Sequence, residues 1–176
     1  MLGNYPGMEK GHPDLYKAFC WRFLALLRDG GRMGLVIPRA AFSLLGSGPF
    51  RQKLFESALF DDLTFTLNNG SWVFEDVDIR KTISFVSIIH SAPGPGATIP
   101  VRGPYRSMNE YLSGLKTEPT EIPLSIILDG SDSASIPLLP KENQETSIAI
   151  MLQMQQHPTQ PYPPLSWRSL RSLSSY

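Results

Sequence analysis

Three groups of residues in this chain have types and spacings that could do chemistry. The first is a pair of aromatics in polar surroundings, Trp72 and Phe74, followed at once by Glu75, Asp76 and Asp78. An aromatic ring among loop carboxylates either offers a face to a flat ligand ring or packs back over a sheet. The carboxylates themselves either gather a metal or stand solvated on an exposed loop. The second group is Arg80-Lys81, which either grips an anion or is an exposed pair beside a strand. The third is Cys20, a thiol by type that reads as a small buried hydrophobe, next to Phe19, which reads as a core residue on an apolar helix stripe. His12, His90 and His157 are too far apart to suggest a ligand set, and one cysteine rules out a disulfide framework or a cysteine-based metal site within one chain. Gly46-Ser47-Gly48 is a flexible turn, because no Gly-Lys-Ser/Thr follows to make a phosphate loop.

The elements that must hold these residues can be read from periodicity and punctuation. Pro13 to Leu27 predicts a helix, with Leu15, Phe19, Phe23, Leu26 and Leu27 recurring at three- and four-residue spacing as one apolar stripe. Gly30 suits the left-handed position that ends a helix. Met33 to Ile37 is short and apolar on both faces, as expected of a central parallel strand that stops at Pro38. Residues 39–48 read as a loop of small residues. Pro49 opens a second helix to about Ala58, with Phe50, Leu54 and Phe55 facing inward. Leu63 to Leu67 and Thr82 to Ile89 predict an antiparallel strand pair, and the Trp72/Phe74 segment is the working loop between them.

The first 90 residues hold four of the 16 prolines. The apolar clusters follow the same division, so the foldable core is expected there, with residues 91–107 as a linker or crossing arm. Residues 108–176 are expected to be weakly structured, with a short helix at Met108–Leu115, a strand at Ile122–Leu128, an amphipathic helix at Glu142–Gln156, and Trp167 in a proline- and serine-rich end. Formal net charge is zero, with 10 basic and 9 acidic residues in the first 90 and 6 and 7 in the rest. No basic or acidic tract marks a partner. No signal peptide is legible, nor any apolar run near the roughly 20 residues of a membrane span, which predicts a cytoplasmic protein.

The order helix, Gly-Gly, strand, Pro, loop, helix, strand, aromatic loop, strand resembles the C-terminal half of the catalytic domain of adenine-N6 DNA methyltransferases. The closest subset is the kind fused into type IIG restriction–modification enzymes. The carrying residues are Asp14-Leu15-Tyr16-Lys17-Ala18-Phe19, Leu26-Leu27-Arg28-Asp29-Gly30-Gly31-Arg32-Met33-Gly34-Leu35-Val36-Ile37-Pro38, and Phe74-Glu75-Asp76-Val77 ahead of Lys81-Thr82-Ile83-Ser84-Phe85-Val86. The resemblance implies an α/β fold, a partial Rossmann-like class I methyltransferase half-domain over residues 1–90. It implies S-adenosylmethionine as cofactor, with Phe19 against the cofactor's adenine, and double-stranded DNA as partner, with Phe74 stacked on a base flipped from the helix. Such stacking is worth roughly 1–3 kcal/mol per base.

The family's Asn-Pro-Pro-aromatic catalytic loop and its glycine-rich cofactor turn do not occur in this sequence. Asn4-Tyr5-Pro6-Gly7 has one proline and the wrong order. The expectation is therefore a fragment or split part, inactive without a missing N-terminal half, with no catalytic residue of its own. The alternative is a non-catalytic interaction module or pseudogene remnant that docks through an uncovered strand edge.

Overall fold

The computed structural model describes residues 5–9, 11–130, 133–138 and 146–150. Helix α1 (Leu15–Leu26) leads into β1 (Arg32–Pro38), then α2 (Ala40–Ser43), a 3-10 turn, and α3 (Gly48–Ser57). Strand β2 (Leu59–Leu67) is joined to β3 (Thr82–Ile89) by the aromatic loop, and β4 (Thr98–Tyr105), α4 (Met108–Gly114), β5 (Thr120–Pro123) and α5 (Leu124–Gly130) follow. The five strands form one mixed sheet in the order β1-β3-β2-β4-β5. β3 runs antiparallel to both β1 and β2, while β2 and β4 are parallel. It follows that β1, β2 and β4 point the same way and their carboxyl ends share one border of the sheet.

The second helix and the antiparallel pair fold as their spacing predicts, whereas residues 39–48, read as a loop of small residues, form α2 and a 3-10 turn around the buried Ala41 and Phe42. Gly30 does not end the helix as expected: α1 stops at an extended Leu27, and Gly30 takes φ 71° in the turn from Arg28 to Gly31 that leads into β1, closed by the Gly31 amide on the Arg28 carbonyl at 2.8 Å. The antiparallel pair is present, and β3 spans Thr82–Ile89 as expected. Phe50, Leu54 and Phe55 on α3 are fully buried. Successive strand residues face opposite sides, so Leu63, Phe65, Val86 and Ile37 share one face with Phe42 of α2, whose ring meets Phe65 edge-on. Each fully buried Phe or Leu of this kind contributes roughly 1.5–3 kcal/mol. Phe85 faces the other side, where Tyr111 of α4 lies against it and against Trp72 and Tyr105.

Four expectations are corrected. β1 is not a central parallel strand: it lies at the border of the sheet, antiparallel to β3, and no described strand pairs with its other edge. The reading of Phe19 as a core residue does not hold: Leu15, Phe19, Phe23 and Leu26 of the α1 stripe are exposed, whereas Lys17, Cys20, Trp21 and Leu24 are buried. The inward face of the helix is set by Trp21 against Phe50, and it accepts Lys17 because its Nζ donates to the His12 carbonyl at 2.8 Å. The stretch 91–107 is more than a linker, since after a Gly/Pro turn its residues 98–105 add β4 beside β2. Two prolines hide that strand in the sequence, and both fit at a sheet position beside short, interrupted pairing. Finally, Ile122–Leu128 divides between β5 and α5 rather than forming one strand.

The segment from 133 to 138 is pinned to the core. Arg51, fully buried on α3, donates through Nε and Nη2 to the Ser133 carbonyl and through Nη1 to the carbonyls of Ala41 and Leu44. Burial pushes its guanidinium down to about 10. The Ile136 amide donates to the Phe42 carbonyl at 2.9 Å, and Ala134 and Ile136 are fully buried. Asn4, Leu139-Pro140, His157-Pro158, most of the Glu142–Gln156 helix, and Trp167 lie outside the described residues; residues 146–150 within that stretch are helical.

Candidate site at the carboxyl border of the sheet

The carboxyl ends of parallel strands are where open α/β sheets gather ligands, and this border carries the aromatic loop. One buried residue organises that loop. Asn68, which follows β2, has no exposed surface. Its Nδ2 donates to the carbonyls of Phe74 (2.9 Å) and Val77 (2.8 Å), while its Oδ1 accepts from the amides of Val73 and Phe74, both at 3.1 Å. All its side-chain capacity is spent on holding residues 73–77 in one shape. Trp72 adds a tie, its indole Nε1 donating to the Leu67 carbonyl at 2.6 Å. Phe74 is therefore held at its backbone and leaves its ring 41 % exposed.

Phe19 also presents a ring to solvent, 53 % exposed, but from α1, where it stacks on Phe23 with centroids 5.7 Å apart and planes 23° off parallel. Phe19 stacks within its own helix, and no ring contact joins it to Phe74. Of the two basic residues predicted near the loop, Arg80 is committed: it grips both carboxylate oxygens of Asp78, which that contact holds below its ordinary range. Lys81 is exposed and makes no ion pair. Among the described residues no group of three His, Cys, Asp or Glu side chains is placed to hold a metal.

Sequence reasoning misses three features here. Asn68 gives a signal, as Asn68-Asn69-Gly70 marks a turn, but its reach to residues 73–77 depends on the loop folding back. Arg39, directly after β1, reads in the sequence as part of a small-residue loop. Its amide donates to the Thr82 carbonyl at 3.1 Å, which fixes it beside the first residue of β3. Its Nε is buried without a hydrogen-bond partner, as is the hydroxyl of Ser84, across from Ile37. The third feature is a cleft of about 610 Å³ between β4 and α4, bordered by Leu67, Arg102, Tyr105, Arg106 and Glu110. Arg102 is held there by Asp62 at 3.0 Å and by the carbonyls of Gly114 and Thr117.

No protein-family model matches the chain, and no curated protein matches it. Among solved structures it is similar to an ATP-dependent type ISP restriction–modification enzyme, LlaBIII, bound to DNA. The likeness covers 65 % of this chain and 9 % of that one, at 17 % identity and a TM-score of 0.42.

Proposed function

We propose that this chain is one part of an S-adenosylmethionine-dependent adenine-N6 DNA methyltransferase of a restriction–modification system, the part that carries the base-stacking loop. A further segment supplies the glycine turn and the catalytic loop. The observation that carries this reading is the unfinished side of the sheet. β1 leaves one backbone edge without a partner strand among the described residues, and the Leu15, Phe19, Phe23 and Leu26 stripe of the adjoining helix is 43–74 % exposed. An open edge beside an apolar helix face is the shape left when an α/β sheet is continued by another segment.

In this reading Phe74 stacks on the target base. Its support is that Asn68 fixes the loop before any ligand arrives, which lowers the cost of ordering on binding. For the cofactor, the exposed ring of Phe19 fits one wall of an adenine pocket. The family's glycine-rich cofactor turn, which would supply the other wall, does not occur in this sequence. The chain therefore forms no complete cofactor pocket alone. The cofactor supplies the methyl group, while this chain's share is to hold the base and one face of the cofactor.

The test is reconstitution. The DNA flanking this reading frame is translated in all frames, and any segment with a glycine-rich strand–turn and an Asn-Pro-Pro-aromatic block is co-expressed with the chain. Transfer of labelled methyl to adenine in duplex DNA is then measured. Activity only with both parts supports the proposal. Tight association of the parts without cofactor binding favours the interaction module, which the same open edge would serve.

A further inference from the structure

We infer that Arg39 is an anion-binding residue that takes the oxygens of a phosphate at the carboxyl border of the sheet, beside the Phe74 loop. Its identification with a DNA backbone phosphate rests on the function proposed above. The anion site itself does not.

This fold supplies acceptors to its other described arginines or leaves them in solvent. Arg51 is buried and fully engaged by carbonyl oxygens; Arg102 is half-buried and paired with Asp62; Arg32 and Arg80 are paired with Asp61 and Asp78. Arg22, Arg28 and Arg106 have no acid partner but stand in solvent, where water satisfies them. Arg39 alone among the described arginines is partly buried and still without a hydrogen bond or ion pair. A partly desolvated guanidinium with no acid beside it leaves its charge unneutralised on the terminal amino groups, and an oxyanion bound to those groups neutralises it.

Its geometry suits the task. The backbone is fixed on both sides, by the Arg39 amide on Thr82 and by the Arg39 carbonyl, which accepts from the Phe42 amide at 2.7 Å and the Ser43 hydroxyl at 3.3 Å. Nε is sealed inside the protein, while the terminal amino groups keep access to solvent. The stem is thus held while the terminal amino groups have no protein acceptor, which leaves them for two phosphate oxygens. Desolvation lowers the Arg39 pKa, with no carboxylate acting against it. Arg39 adjoins Thr82, and the Asn68 amide donates to the Lys81 carbonyl at 3.1 Å, so the guanidinium and the root of the aromatic loop share one border. They are separated by about two strand spacings, roughly 10 Å. Arg80 is not an equivalent candidate, because Asp78 already neutralises it.

The test follows the Nε–H resonance of Arg39 in the ¹⁵N-arginine-labelled full chain, assigned by its loss in Arg39→Lys. One titration uses a short duplex DNA; another uses inorganic phosphate with chloride-matched ionic strength. Duplex affinity is also measured against salt for wild type, Arg39→Gln, Arg39→Lys and Arg80→Gln, each checked for an unchanged melt. The expected result is an Arg39 shift in both titrations. Arg39→Gln should weaken duplex binding about tenfold and reduce the salt slope by about 0.9. Arg39→Lys should keep the slope and lose part of the affinity, and Arg80→Gln should change neither. A shift with phosphate but not duplex upholds the anion site and counts against the DNA reading. Duplex binding with an unmoved Arg39 resonance and an unchanged slope in Arg39→Gln overturns the inference and leaves the DNA reading standing. No shift with either ligand also overturns it.

Discussion

Replacing Asn68 by alanine should release the aromatic loop while leaving the sheet folded. The side chain makes four hydrogen bonds to residues 73, 74 and 77 from a fully buried position. Each contributes roughly 0.5–1.5 kcal/mol net. The loop is partly exposed, so water recovers some of that loss and the expected local destabilisation is about 2–4 kcal/mol. Hydrogen exchange reads it directly: amide protection at Val73 and Phe74 should fall about 30- to 1,000-fold, while protection in β3 stays as in wild type. Asn68→Asp sharpens the reasoning, because it keeps an acceptor for the two amides and places carboxylate oxygen against the carbonyls of Phe74 and Val77. That repulsion raises the folded-state pKa of the new carboxyl above its unfolded value. Stability is then lost as pH rises from the unfolded pKa of about 3.9 through the folded one, so the variant should lie nearer wild type at low pH than at neutrality. Unchanged protection at Val73 and Phe74 in Asn68→Ala would refute the assignment of Asn68 as the residue that shapes the loop.

Other substitutions test the rest of the architecture. Phe19→Ser with Phe23→Ser should shift unfolding free energy by no more than about 0.5 kcal/mol and reduce binding of a hydrophobic dye; a large loss of stability would mean the stripe is packed. Leu24→Ala, from the buried side of the same helix, should cost about 2–5 kcal/mol in a denaturant melt. Arg51→Ala should cost more than about 3 kcal/mol and raise hydrogen exchange at Ile136, since the bonds it loses hold residues 133–136 to the core. Burial pushes the Cys20 thiol and the Tyr16 hydroxyl up to about 12, from 9.0 and 10.0. Both folded pKa values are raised, so the unfolded state loses its protons first and stability falls as pH rises from about 9 toward 12. Cys20→Ala should flatten the first part of that alkaline limb, and the wild-type thiol should resist alkylation until the chain unfolds.

Most local structure is legible in the sequence because local chemistry decides it. Pro49 and the Phe50/Leu54/Phe55 spacing are enough to start α3 and aim it inward, and the β-branched run at Thr82–Ile89 is enough to make a strand. β4 is illegible, because Pro100 and Pro104 argue against a strand and the pairing with β2 that overrides them comes from 35 or more residues away. For α1, periodicity identifies an apolar stripe but not which side of the helix the core covers. Periodicity reports which residues share a face, whereas the layer packed against that face depends on what the rest of the molecule provides.

At the candidate site the division falls in the same place. Phe74 stands out in the sequence because an aromatic among carboxylates has little local reason to be there. What holds it cannot be read, since Asn68 is one of several turn residues until the loop closes around it. Arg39 carries no signal at all. Its significance is that the other described arginines withdrawn from solvent, Arg51 and Arg102, find acceptors and it does not, and a missing acceptor exists only once the chain is folded. The sequence by itself determined α1, α3 and α4, the antiparallel pair and the aromatic loop, because propensity, turn residues and periodicity act over a few residues. Only the tertiary structure decided which strand lies at the border, which helix face stays bare, and which buried cation is left without a partner, because each depends on contacts between segments far apart in the chain.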